Sequence, residues 1–354
     1  ALGAPNPAVV TILENERPIF TVTKTEDTND GECSKDDCSL REAIIATNAN
    51  PGADTITVPA GVYVLSIPRS RGASPSATGS LDITDDVIIN GAGMGLTIVD
   101  GNASAQVFYI GSPNTGNPTR NLTVTLSDLT VRKGIVEDFT GGGIWITLTT
   151  LTLNRVAVDE NLGNGIVYQE GQLILNDSSV SNNQGAGIYT PGSLSFSGVI
   201  NRSTISGNEG AGIVQHSGDL AVNNSTVSNN HSSGIVTNMG NLTLNNSTVT
   251  GNNVKLYQDD FSVAGGIWNI PASQYNLSPS TITLRNSIVA GNISEDGSQD
   301  CNGPITSAGY NIIGTTEGCD FASTTGDLLN VDPKLGPLQN NGGPTSTYEL
   351  LLGS

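Results

Sequence analysis

The stretch "STVSNNHSSGIVTNMGNLTLNNSTVTGNN", residues 225–253, decides the fold, because its "NLTLNNSTVTGN" rewrites the "DLAVNNSTVSNN" of residues 219–230 a fixed 22 residues later. Working outward from it, Ile144, Ile166, Ile188, Ile213, Ile235 and Ile267 recur at intervals of 22, 22, 25, 22 and 32 residues. A second ladder runs through Asn161, Asn183, Asn208, Asn230, Asn252 and Asn292, each three residues after Val158, Val180, Ile205, Val227, Val249 and Val289. Compositional bias alone gives no fixed phase between two such ladders, so the period is structural.

Within a unit, Leu242 and Leu244 share one face, Ser247 and Val249 share another, and Gly234 leads into Ile235, with polar or glycine corners between. Three short strands per ~22 residues and no helical segment specify an all-β chain folded as a right-handed parallel β-helix. Equivalent residues then stack at about 4.8 Å. The asparagines of the ladder, and Asn176, Asn223 and Asn245 at another corner, are expected to accept left-handed turns and to bond to one another along the stack. Twelve Asn-x-Ser/Thr sequons, among them Asn102, Asn121, Asn201 and Asn276, come largely from the repeated phrase itself.

The 354 residues contain 13% charged and 36% hydrophobic residues with 43 glycines, which excludes both a disordered chain and a helical one. A repeat array can carry one continuous core through this length. The formal charge of −19, with no Lys/Arg cluster, argues against nucleic acid as a partner. Two histidines leave carboxylates, tyrosine and arginine as the material for any chemistry. The four cysteines fall into local pairs, Cys33 with Cys38 and Cys301 with Cys319, and are read as two disulfides formed in an oxidising compartment. A zinc site is disfavoured because the spacings are not CxxC and neither His216 nor His231 is near them. No apolar run reaches the ~18 residues of a membrane span, and "ALGAPNP" suits the mature N-terminus of an exported chain.

Ahead of the repeats, Ser39 and Glu42 form a capping box that opens a short amphipathic helix running to about Thr47, with Leu40, Ala43 and Ile44 laid over the open end of the stack. Here the chain resembles the secreted β-helix proteins that carry a "CSLREAI" motif and often a choice-of-anchor region. The resemblance rests on Cys38 to Ile45, "GADTITVPAGVY" at 52–63, "INGAGMGLTIVDG" at 89–101, "DCNGPITSAGYNIIGTTEGCDF" at 300–321 and "DPKLGPLQNNGGPTSTYELLLGS" at 332–354. It implies export, a cell-surface or extracellular location and continuation beyond Ser354, and is weak for activity. The expected organisation is an extended arm at 1–19, a disulfide-bearing cap and first coil at 20–65, the β-helix at 66–320 and a C-terminal end segment at 321–354.

Candidate contact residues lie on the outside. If the isoleucine ladder points inward, the following residues form an outward column of Trp145, Val167, Tyr189, Val214, Val236 and Trp268, a platform for sugar rings or for a protein partner. The expanded coil at 254–280 carries Tyr257, Phe261 and Tyr275 on loops. Asp27, Asn29 and Asp30 before Gly31 form an incomplete calcium loop, so a structural Ca²⁺ is the one cofactor considered and no other is expected. Arg155, Arg202 and Arg285 sit at related places, with no carboxylate ladder expected opposite them. The Ser/Thr pairs 179/181, 204/206, 226/228 and 248/250 form a flat array of the kind an ice-binding face uses. The function read from these features is an extracellular structural or adhesive protein, non-enzymatic, contacting surface glycans or copies of itself through the arm. A carbohydrate-active enzyme (polysaccharide lyase or glycosidase) is the alternative, and ice binding a remote one.

Overall fold

Successive repeats pair in parallel and in register, as Ile144↔Ile166↔Ile188↔Ile213↔Ile235↔Ile267 and Val158↔Val180↔Ile205↔Val227↔Val249↔Val289 show. The computed structural model, which describes residues 18–70, 76–111, 121–135, 141–192, 196–255, 263–270, 280–295 and 299–354, is a right-handed parallel β-helix. Its first sheet includes Leu81–Ile83, Phe108–Ile110, Ile144–Ile146, Ile188–Thr190 and Ile267–Asn269. The second includes Asp54–Thr57, Val87–Asn90, Gly171–Asn176, Phe196–Asn201 and Thr281–Arg285. The third includes Gly61–Val64, Thr97–Asp100, Ser179–Ser181, Thr226–Ser228 and Ile288–Ala290. Inward residues of all three sheets form one apolar core that runs the length of the stack.

Two corner columns turn the chain between sheets with left-handed backbone. One holds Asp128, Arg155, Asp177, Arg202, Asn224, Asn246 and Asn286 at φ 47–58°. The other holds Lys133, Glu160, Asn182, Gly207, Asn229, Gly251 and Gly291 at φ 52–72°. Left-handed backbone costs an L-residue roughly 1–2 kcal/mol, which is why Asn, Asp and Gly dominate these positions. The ladder asparagines are therefore not the turn residues: each ladder position follows, and Asn176, Asn223 and Asn245 precede, the left-handed one.

Released from the turn, the asparagine ladder lies wholly inside. Asn161, Asn183, Asn208, Asn230, Asn252 and Asn292 are each 0% exposed. Each Nδ2 donates to the Oδ1 of the next at 2.8–2.9 Å, and each of those oxygens also accepts the backbone N–H of the previous asparagine. The same amides donate to carbonyls such as Val158 and Val180, so buried polar groups are satisfied coil by coil. All donate in one direction, which aligns their dipoles with the positive end at Asn292. There the row ends on a carboxylate: Asp300 Oδ1 accepts the Asn292 side chain and backbone. Burial raises the Asp300 pKa, against the pull of the Asn292 and Thr315 donors.

A serine row, Ser178, Ser203, Ser225, Ser247 and Ser287, ends the same way. Each Oγ takes the previous backbone N–H, the last link passes to Asn311, and Asn311 donates to Asp327.

The N-terminal end is closed as the capping box requires. The helix is Leu40–Ala49, with both reciprocal Ser39/Glu42 bonds formed and Leu40, Ala43 and Ile44 buried. Arg41, on the same helix, is 1% exposed. It donates to both Asp27 oxygens and to the carbonyls of Ser76 and Gly79. Ile19–Thr21 adds as a parallel strand to Asp54–Thr57 of its own first coil, while residues 1–17 of the arm lie outside the described residues. The disulfides are Cys33–Cys38 at this end and Cys301–Cys319 at the other.

Burial drives the Glu42 carboxyl upward, but donors from the Ser39 and Asp30 backbone and the Thr28 hydroxyl outweigh it and hold the group at about 2. A folded pKa below the unfolded value of 4.5 contributes stability that is fully present above pH 4.5 and is lost as pH falls toward 2. The melting difference between wild type and Glu42→Gln is therefore expected to be largest above pH 4.5 and to shrink toward pH 2; a difference independent of pH would contradict this.

At the far end the chain doubles back. Leu335–Gln339 and Thr347–Leu350 form an antiparallel hairpin over the outer face of the third sheet. Thr204 Oγ1 donates to the Ser346 carbonyl, Asn229 Nδ2 to the Tyr348 hydroxyl and Thr345 Oγ1 to the Arg202 carbonyl.

Candidate functional site

The outward column of the first sheet extends further than the isoleucine spacing revealed. In register it runs Asp82, Tyr109, Trp145, Val167, Tyr189, Val214, Val236, Trp268 and Asn302. Its four aromatic rings are all half-buried. The stripe is interrupted, however: Val167 is 0% and Val236 9% exposed. Val236 packs with Ala211 and Ile270 in a small apolar cluster outside the main core, with Val214 and Trp268 against it. Two platforms result. One is Tyr109, Trp145 and Tyr189, with Trp145 and Tyr189 two coils, about 9.6 Å, apart; the other is Trp268, wedged on its apolar cluster.

His216 stands edge-on to the Tyr189 ring at 5.7 Å, and burial lowers its pKa. Burial also raises the pKa of Asp82, offset by the Ser80 hydroxyl and the Ser76 N–H, and that of Tyr109, where the Asp82 charge adds to the effect. Asp82 is the one carboxylate among the nine residues of this column. Acid/base cleavage of a glycosidic bond uses two carboxylates flanking the bond.

The Ser/Thr array of the third sheet is a roofed track, not an open face. Thr204 and Thr226 are 4%, Ser228 0% and Thr250 7% exposed. Two cavities lie along it. One of about 290 Å³ is floored by Ser179, Ser181, Thr204 and Ser206 and roofed by Met94, Leu338 and Pro344. One of about 310 Å³ lies between Thr250, Asp300 and Thr315 on one side and Asp332 and Leu335 on the other. Ser228 sits between them in the same column with its Oγ buried and unpartnered. This arrangement overturns the flat-array reading, because a segment 142 residues away in sequence covers it.

Asp27 is taken by Arg41, and its Oδ2 also accepts the N–H groups of Ser66 and Ile67. Asn29 donates to the Ala77 carbonyl, and Asp30 pairs with Lys24. Among the described residues no cluster of three or more His, Cys, Asp or Glu is placed to hold a metal. Arg155 and Arg202 do face carboxylates, contrary to the sequence reading: they form two-point pairs with Asp128 and Asp177 at 2.6–2.7 Å in an alternating corner ladder. Arg285 is not in that row, since it pairs with Asn245 one position earlier. Asp85 and Asp86 bond to backbone N–H groups of Gly52, Asp86 and Thr123. Tyr257, Phe261, Tyr275, Asp259 and Asp260 lie outside the described residues.

No family model matches the chain, and no curated protein does. Among solved structures, the fold is similar to PfbA, a surface adhesin of Streptococcus pneumoniae, at 10% identity and TM-score 0.54 over 81% of this chain and 76% of that one. It is also similar to ORF18 of Geobacillus virus E2, at 13% identity and TM-score 0.50, covering 88% of this chain and 59% of that protein, so this chain spans little more than half of the viral one. Pectate lyase Pel9A matches at 14% identity and TM-score 0.48 over 83% and 68%. At such identities the likeness shows the fold, a parallel β-helix, alone. No helix among the described residues is long and apolar enough to cross a membrane.

Proposed function

We propose that this chain is an extracellular or cell-surface β-helix with a structural or adhesive role, contacting surface glycans through the aromatic column of its first sheet. Both adhesive and carbohydrate-active roles fit a body of this architecture. One observation favours contact over cleavage: Tyr109, Trp145 and Tyr189 stand half-exposed on a rigid sheet, where the only carboxylate of the column is Asp82. Rings held in this way can stack on the apolar faces of sugars with little further loss of side-chain entropy. The two disulfides support an oxidising, extracellular location, and the capped helix Leu40–Ala49, which begins within the Cys38 to Ile45 motif, supports membership of the CSLREAI-bearing secreted proteins. Self-assembly through the arm at 1–19 belongs to the same proposal, since Ile19–Thr21 already uses the strand-addition mode, in its own stack.

Affinity electrophoresis or retention on neutral and acidic polysaccharides tests the glycan contact. Trp145→Ala and Tyr189→Ala are each expected to weaken binding about tenfold or more, at the ~1–3 kcal/mol typical of a stacked ring, with the fold retained and the melting temperature lowered only modestly by the uncovering of Val167. Retention equal to wild type in both variants would refute the column as the contact surface.

A further inference from the structure

The second sheet has an outer face that neither the aromatic column nor the hairpin uses. Its central column runs in unbroken register through Thr55, Ile88, Thr125, Thr152, Ile174, Val199, Ala221, Thr243, Thr283, Thr306 and Ala322. These eleven residues are all β-branched or alanine, carry no charge, and none is buried. One flanking column, Asn154, Asn176, Asn201, Asn223 and Asn245, is a ladder of amides bonded to one another at 2.9–3.1 Å. The other is Thr123, Thr150, Gln172, Ser197, Asp219, Asn241 and Thr281. From Thr123 to Arg285 the three columns contain two charges of opposite sign, Asp219 and Arg285, on a chain of net charge −19.

We infer that this face is the interface between two copies of the chain, packed sheet against sheet. Charge selects it: two bodies of −19 repel unless they meet where the local charge is near zero, and this face meets that condition from Thr123 to Arg285, while Asp86 and Asp320 stand in its flanking column beyond the two ends. Area permits a weak pair: six steps of about 4.8 Å by three outward columns about 6.6 Å apart give roughly 600 Å² per copy, below the about 800 Å² per partner of a standard stable interface and in the range of transient ones. Desolvation does not oppose it strongly, because each ladder amide already has a partner within its own chain. Flat β-branched faces pack at about 10 Å with side chains interdigitated. The contact is isologous and closes as a pair. It is separate from the arm, so it stands or falls independently of assembly through residues 1–19.

Sedimentation velocity of the full chain at moderate salt tests it with two variants, Thr152→Lys and Ala221→Lys. Both sites are central and half-exposed, so a lysine there is solvated in the single chain. Wild type is expected to sediment as a concentration-dependent dimer, and each variant as a monomer at the same concentration, its dissociation constant raised at least about a hundredfold by a lysine charge desolvated without a partner in an uncharged contact, with unchanged melting temperature. A monomeric wild type would overturn the inference. So would a dimer that persists in both variants, which would place self-association on the arm or on the exposed C-terminal end.

Discussion

Replacing Arg41 by alanine is expected to destabilise the protein by roughly 3–5 kcal/mol, the cost of leaving one member of a buried ion pair unpaired. The Asp27 side chain, 3% exposed, would lose both guanidinium bonds, and the carbonyls of Ser76 and Gly79 would lose their donors. The four acceptors come from two separate segments, so the guanidinium joins its own cap helix to the turn before it and to the start of the second coil. Arg41→Lys is expected to recover little, because one ammonium cannot reproduce the planar fork that bonds Asp27 at two points. Calorimetry or chemical denaturation measures the loss. Arg41→Ala within about 1 kcal/mol of wild type would show that the cap contributes no cooperative stability.

Asn208→Leu is expected to cost about as much at mid-stack. The leucine removes the acceptor of two donors, the Asn183 N–H and the Asn183 side chain, and the donor to the Val180 carbonyl. Each buried group left without a partner costs about 1–3 kcal/mol, so a loss of roughly 3–6 kcal/mol follows, with a leucine branch also forced into a row spaced for amides. Asn208→Asp keeps the acceptor but loses the onward bond to Asn230, and sets a negative charge at 0% exposure. Its stability should therefore fall steeply as pH rises through the raised pKa of the buried carboxyl. A mild, pH-independent effect in both variants would mean that the ladder is a by-product of packing rather than a structural element.

The repeats were legible because a β-helix writes its geometry into the spacing of residues. Ile144 to Ile267 and Asn161 to Asn292 each mark one place per coil, and the capping box is local enough to read directly. Other features lacked such a signal. Asp300 and Asp327 end the two buried rows, but they lie where the period breaks down, at 8 and 16 residues from the asparagines they receive. The burial of Arg41 has no local sequence signal, since its carbonyl partners are 35 and 38 residues away in a turn without a motif. The hairpin that roofs the Ser/Thr array comes from beyond the repeats altogether. Arg285 was grouped with Arg155 and Arg202 from proximity to a strand end, and a one-position shift of register separates it from them. The uncharged central column of the second sheet carries no sequence signal for a related reason: Thr, Ile, Val and Ala follow one another without a motif, and only the pairing shows that they form one column.

The proposed role requires that the aromatic column hold glycans without cleaving them. The most direct measurement is product analysis on whichever polysaccharide the wild-type chain retains, following both new reducing ends and unsaturated ends over prolonged incubation. Retention with polymer length unchanged, and retention lost in Trp145→Ala, is the expected result. Accumulating products that disappear on substitution of Asp82, Asp259 or Asp260 would contradict it and identify a carbohydrate-active enzyme instead.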